Sequence, residues 1–142
     1  MIIKQLSVFL ENKAGRLNEV TTLLGENGVN MSAFNIADTS EFGILRVIVS
    51  DPQKALEVLK KNDFSVSLTE VVCLNCPNEP GALSKALKIL NEEEVGIEYM
   101  YAYSMNNESA YVVIRTDNIN QCIDVLQRHE MELVRASELY KL

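Results

Sequence analysis

Two six-residue loops carry the groups best suited to ligand chemistry: Asn12-Lys13-Ala14-Gly15-Arg16-Leu17 and Asn78-Glu79-Pro80-Gly81-Ala82-Leu83. Each precedes a stretch with apolar residues at helical spacing. Each turn should therefore present the unpaired N–H groups and partial positive charge of a helix N-terminus, a receptor for a carboxylate. Gly15 and Gly81 leave a ligand free to approach the backbone. An ammonium group needs acceptors, which the amide oxygens of Asn12 and Asn30, with nearby carbonyls, can supply; an amide both donates and accepts, so it suits both ends of a zwitterion. A plainer role for Asn12 and Asn78 is to cap the turn or the helix. That role does not account for Asn30, which opens a strand although asparagine is depleted there.

Charges flank both loops. Lys13 and Arg16 border the first, Glu79 borders the second, and Glu98 lies nearby. If they face a ligand, the first lip favours an acidic or neutral side chain and the second a cationic or imidazole one. Solvated surface charge is the competing explanation. Cys73-Leu74-Asn75-Cys76 has the spacing of a redox pair or half of a zinc site. It reads, however, as the end of a strand, where residues three apart point to opposite faces, and neither a second such pair nor a histidine cluster accompanies it. His129 is the only histidine and falls near a helix end, where a cation suits the helix dipole. No nucleophile, base and orienting group stand together, and there is no P-loop or dinucleotide fingerprint. Catalytic residues, a metal and a cofactor are not expected.

The elements that position these groups are written twice. Gly15 recurs as Gly81, and at the same shift Leu23-Leu24, Val29-Asn30-Met31 and Ser50-Asp51 answer to Ile89-Leu90, Val95-Gly96-Ile97 and Thr116-Asp117. The register then slips by one residue, so that Ala55-Leu56-Glu57-Val58-Leu59 aligns with Cys122-Ile123-Asp124-Val125-Leu126. In the first copy the pattern predicts a strand over 3–10, a helix over 16–26 closed by Asn27-Gly28, and strands over 30–37 and 43–49 joined by a hairpin at 38–42. A helix capped by Asp51-Pro52 and a strand over 64–68 follow. The second copy predicts strands near 71–75, 97–105, 110–116 and 131–134, with helices near 83–93 and 120–129.

Strand, helix, strand, strand, helix, strand is the ferredoxin-like order: an α+β fold whose antiparallel sheet carries both helices on one face. Ile44, Leu45, Val47, Ile48 and Val49, and later Tyr111, Val112, Val113 and Ile114, are apolar on both faces of the central strands. The helix-free face is thus expected to be covered by another sheet, most simply in a homodimer. Tyr99, Tyr101 and Tyr103 alternate along one strand, opposite in the repeat to Ala33, Asn35 and Ala37, and can wall a pocket or fill an interface. The chain has 142 residues, 47% of them apolar, a net charge of −7 and a calculated pI of 4.7. Copies this small are marginal alone, which favours a shared interface. The acidic balance disfavours nucleic acid and anionic membranes as partners. No apolar run approaches the roughly 20 residues that span a bilayer. Because the first residues lack a signal-peptide layout, the chain is expected to be cytoplasmic. Its three cysteines suggest no disulfide framework.

The two loops, Gly28-Val29-Asn30-Met31 and the element order together resemble the ACT domain family, small-molecule regulatory modules attached to, or acting beside, enzymes of amino-acid metabolism. The resemblance covers nearly the whole chain and implies two domains, 1–68 and 69–142. It implies an effector pocket lined by the glycine loop and the start of the second strand, usually at an interface between two such domains. Asn12, Gly15 and Asn30 then fall on ligand-contacting positions, with Asn78 and Gly81 as counterparts. Gly96 departs from the pattern by replacing the strand asparagine. The expected function is non-catalytic sensing of a free amino acid, felt in trans by an enzyme of amino-acid metabolism. Two alternatives are an adaptor that docks a partner enzyme through its sheet face, and a thiol enzyme using Cys73 and Cys76.

Overall fold

A computed structural model of the chain describes residues 1–11, 14–38 and 41–140, apart from the side chains of Ser104 and Met105. The first repeat runs β1 (Ile3–Glu11), α1 (Arg16–Glu26), β2 (Met31–Asp38), β3 (Phe42–Val49), α2 (Pro52–Lys61) and the opening of β4 (Ser65–Pro77). Asp51 caps α2 by accepting from the Lys54 N–H at 3.1 Å, and Pro52 fills the first helical position, where its missing N–H costs nothing. The strands are ordered β2-β3-β1-β4. On one face Leu6, Val8, Leu45, Val47 and Val49 bury against Val20 and Leu24 of α1 and Ala55 and Leu59 of α2. Of the predicted hairpin at 38–42, Thr39 and Ser40 lie outside the described residues.

The second repeat takes the rest of β4, then α3 (Ala82–Glu92), β5 (Ile97–Met105), β6 (Ser109–Thr116), α4 (Ile119–Arg128) and β7 (Glu132–Leu133). Its order is β7-β4-β6-β5, antiparallel throughout. Val72, Leu74, Val112 and Ile114 pack on Ala86 and Leu90 of α3 and Cys122, Val125 and Leu126 of α4. Both repeats are therefore ferredoxin-like βαββαβ units, with antiparallel strands and helices on one face.

Four expectations need correction. The strands predicted at 64–68 and 71–75 are one strand of 13 residues, because Thr69-Glu70 contains no turn former to interrupt a β-prone run. The last predicted strand shrinks to Glu132–Leu133, and a short unpredicted helix α5 (Ala136–Leu139) follows. By packing, the chain divides between Thr69 and Glu70, with Met1–Ile3 grouped with the second unit and the segment from Ser137 with the first. Lys4 donates its N–H to the Tyr140 hydroxyl at 2.9 Å.

The third correction locates the one-residue slip between the repeats. Ile36 faces Leu45 and Ala37 faces Ile44, whereas Ala102 faces Val112 and Ser104, not Tyr103, faces Tyr111. Tyr103 is thus the extra residue of a β-bulge in β5 and has no counterpart in the first repeat. Beyond the bulge every residue is offset by one more, so Ser50 answers to Asp117 and Asp51 to Asn118. Accordingly Asn118, not Asp117, caps α4, accepting from Gln121 at 3.1 Å. Tyr103 still stacks on Tyr111, with ring centroids 5.9 Å apart, and Tyr101 is buried.

The fourth concerns the helix-free faces. Ile48 and Val113, which alternate away from the helix-packed core, are fully buried within one chain. Their burial needs no second chain. Among the described residues the exposed large apolar side chains are Phe34, 63% accessible, Ile36, Leu17 and Phe9 in the first repeat, Met100 in the second, and Met1. Of these Phe9, which alternates with the core residues Val8 and Leu10, lies on the helix-free face.

Candidate functional site

The loops before α1 and α3 share one conformation. Gly15 has φ 90° and ψ −9°, Gly81 has φ 85° and ψ −9°, and each is the residue from which its helix starts. Their carbonyls accept the first helical bonds, from Glu19 and Lys85, both at 2.9 Å. Among the described residues no side chain caps either helix. A Cβ on either glycine would meet nothing within 4 Å. Glycine is therefore required here by the left-handed backbone and not by crowding. Gly15→Ala and Gly81→Ala are each expected to lower stability by about 1–2 kcal/mol, the left-handed strain alone. Urea titration measures this; an unchanged midpoint would mean that the loop relaxes to negative φ.

Around the glycines, Ala14 and Pro80 are exposed, and Ala82 and Leu83 are half-buried. Asn12 and Lys13 lie outside the described residues. Leu17 turns toward β2, where it forms with Thr21, Met31, Phe34, Ile36 and Leu45 an apolar groove of about 190 Å³. Asn78 does not cap α3. Its side-chain amide donates to the Asn106 carbonyl and its N–H donates to the Glu108 carbonyl at 3.0 Å, tying the second loop to the β5–β6 hairpin.

Two of the flanking charges, Arg16 and Glu98, are committed to ion pairs. Arg16 pairs with Glu19 at 2.9 Å, and its guanidinium lies 4.3 Å from the centre of the Phe64 ring. Glu98 pairs with Arg115 at 3.2 Å. These two charges thus do not set up the opposite lips that their sequence positions suggest. Glu79 is exposed and lines a polar cavity of about 390 Å³ with Ala82, Lys85, His129, Glu130 and Glu132.

Asn30 lies exposed just before β2, at the far end of its own sheet from Gly15. Leu10, on the loop side, faces Gly43, whereas the Asn30 carbonyl accepts from the Ser50 N–H at 2.9 Å. Gly43 and Ser50 are separated along β3 by roughly 24 Å at about 3.4 Å per residue. The second repeat is built alike: Cys76 faces Ala110 near the loop, and Gly96 pairs with Asp117 at the other end. One repeat alone therefore offers a glycine loop at one end and a strand start at the other, and does not bring Asn30 to Gly15.

Cys73 and Cys76 are reduced and buried on β4. Cys76 belongs to the helix-packed core and Cys73 does not, so the two sulfurs leave opposite faces. Burial, reinforced by Cys76, pushes the Cys73 thiol up to about 12, far from the range of a nucleophilic thiolate. Among the described residues no group of three or more His, Cys, Asp or Glu is placed to hold a metal, and no helix is long and apolar enough to cross a membrane.

The chain is thus a duplicated ferredoxin-like unit, each copy opening its first helix from a left-handed glycine. The chain belongs to the ACT domain pair family, whose model matches residues 1–142. Among solved structures it is similar to the protein BT0572 from Bacteroides thetaiotaomicron, with 55% identity over 100% of this chain and 98% of that one and a TM-score of 0.95. It shares its fold with the regulatory subunit of aspartate kinase from Thermus thermophilus, at 13% identity over 88% of this chain and 91% of that one, TM-score 0.63. The corresponding subunit from Thermus flavus, 14% identical over 90% and 94%, gives a TM-score of 0.60. No match is found among curated proteins.

Proposed function

We propose that the chain is a non-catalytic sensor of a free amino acid, built from modules 1–68 and 69–142, that acts in trans on an enzyme of amino-acid metabolism from within the cytoplasm. The observation that carries this is the matched pair of exposed glycine turns, each opening a helix with no side-chain cap among the described residues. Such an end favours a carboxylate through its N–H groups and its dipole. The residues of the first loop, Asn12 to Leu17, and of the second, Asn78 to Leu83, form the loop halves of the sites, and Asn30 is the acceptor for the ammonium group. Because loop and strand start sit at opposite ends of one repeat, a single repeat does not complete a site by itself. A homodimer agrees with the exposed strip of Leu17, Phe34 and Ile36 along the β2 edge, too apolar to be left in water without purpose.

The test is a thermal-shift screen of the wild-type chain and Asn30→Ala against the free amino acids. One or a few should raise the midpoint, by an amount corresponding to about 2.7 kcal/mol at a hundredfold excess over Kd, and the shift should be reduced in the variant. Silence with every amino acid, in protein refolded free of carried ligand, would turn the choice to the adaptor.

A further inference from the structure

The exchange of Asn30 for Gly96 is matched by a second exchange across the strand pair. In the first repeat Asn30 donates its N–H to Ser50 Oγ at 3.0 Å and Ser50 donates its N–H to the Asn30 carbonyl at 2.9 Å. In the second, Gly96 donates its N–H to Asp117 Oδ1 at 3.2 Å and Asp117 donates its N–H to the Gly96 carbonyl at 3.3 Å. The two pairs are the same device with the longer polar side chain moved to the other member: asparagine and serine in one, glycine and aspartate in the other. A Cβ on residue 96 would lie 3.0 Å from Asp117 Oδ2 and 3.3 Å from its Cγ, so the carboxylate fills the ground a side chain there would need.

Holding the backbone does not account for the carboxylate, since one hydroxyl oxygen does that in the first repeat. Helix capping does not either, because Asn118 caps α4. Oδ1 also lies 3.3 Å from Thr116 Oγ1, whose hydroxyl is better placed on the Gly96 carbonyl at 2.7 Å. Oδ2 has no hydrogen-bond partner among the described residues, and Asp117 is exposed. We infer that Asp117 is the ammonium acceptor at the strand start of the second repeat, in the role Asn30 holds in the first. Because this rests on the proposed amino-acid binding, it deepens that assignment: the missing asparagine does not make the second repeat vestigial. The half-sites are unequal in a defined way. A carboxylate cannot donate, so the second accepts a cationic group and discriminates against an uncharged one more strongly than an amide does.

Calorimetric titration of the full chain tests it. The probes are the free amino acid that gives the largest thermal shift and the same molecule without its α-amino group. Asp117→Asn keeps an oxygen for the Gly96 N–H and removes the charge; Asp117→Ser restores the first repeat's pair and keeps the fold. Both are expected to weaken one binding event at least tenfold, the loss of a charge-assisted hydrogen bond. Neither should change binding of the desamino analogue by more than about twofold. Amino-acid binding that survives both variants within twofold would overturn the role of Asp117 and leave the sensor intact. Failure of every amino acid to bind the wild-type chain would overturn both.

Discussion

Replacement of Leu126 by alanine is expected to remove about 2–5 kcal/mol of stability, and Leu59→Ala, its equivalent in the first repeat, about as much. Both leucines are fully buried, and both sit in the second helix of their unit, facing the sheet. Each also anchors the turn that ends its helix: the carbonyl of Leu59 accepts from Phe64 at 3.0 Å, and that of Leu126 from Met131 at 2.9 Å. Truncation removes apolar contacts and leaves a cavity in a close-packed interior, and the helix cannot slide inward to fill it without breaking that turn. Against a total stability of about 5–15 kcal/mol for a small domain, the loss is large enough to depress the denaturation midpoint sharply. Leu126→Met, which conserves volume, should cost less than about 1.5 kcal/mol. A loss below about 1 kcal/mol for Leu126→Ala would mean that the core is not packed as described.

What made these cores legible in the sequence was the combination of period and punctuation. Val20, Leu24, Ala55 and Leu59 recur at helical spacing, and Gly15 and Asp51-Pro52 mark where each helix opens, so the helices of the first repeat fall where the pattern puts them. Strand limits were less legible. Thr69-Glu70 lies where a domain boundary is expected, yet neither residue turns the chain, and β4 runs through. The four residues of α5 are too few to show any period. Chemical likeness misled at one point: Ser50-Asp51 resembles Thr116-Asp117, and only the cross-strand pairing reveals that the slip occurs earlier, at the Tyr103 bulge.

The candidate site divides the same way. The left-handed turn was visible as a repeated glycine, because few other residues adopt φ near +90°. Asp117 was not visible as a functional residue, because its relation to Gly96 depends on which strand end faces which. The signals that pointed to it were the missing asparagine and the one-residue slip, taken together. The charges of Arg16 and Glu98 were visible but their partners were not: whether a charge faces a ligand or an ion pair is decided by side-chain direction across elements, which spacing along the chain does not record. Apolar residues on both sheet faces were likewise legible as buried, whereas what buries Ile48 and Val113 was not.

Above pH 9 the protein is expected to lose stability progressively, and the buried thiols give the loss its sign and much of its size. Burial raises Cys73 to about 12 and Cys122 to about 11, the first reinforced by Cys76 and the second by Asp117. In the unfolded chain both thiols return to the ordinary value of 9.0. A group whose folded value is raised holds its proton more tightly when folded, so its contribution is fully present below the unfolded value and is lost as pH climbs toward the folded one. Each pH unit in that window costs about 1.4 kcal/mol per thiol. Between pH 9 and 11 the two together thus remove on the order of 5 kcal/mol, comparable to the whole stability of a marginal domain. Urea titrations from pH 7 to 11 measure the slope. Replacing both by alanine should lower stability at pH 7, through lost packing, and flatten the alkaline decline, whereas an undiminished slope would assign the decline to other groups. Labelling gives an independent reading of the same burial. At pH 8 a thiol held near 12 is ionised about a thousandfold less than a free one, so Cys73 should react with a disulfide reagent only through opening of the fold. Cys73 labelling as fast as an exposed cysteine would show that this part of β4 is open to solvent.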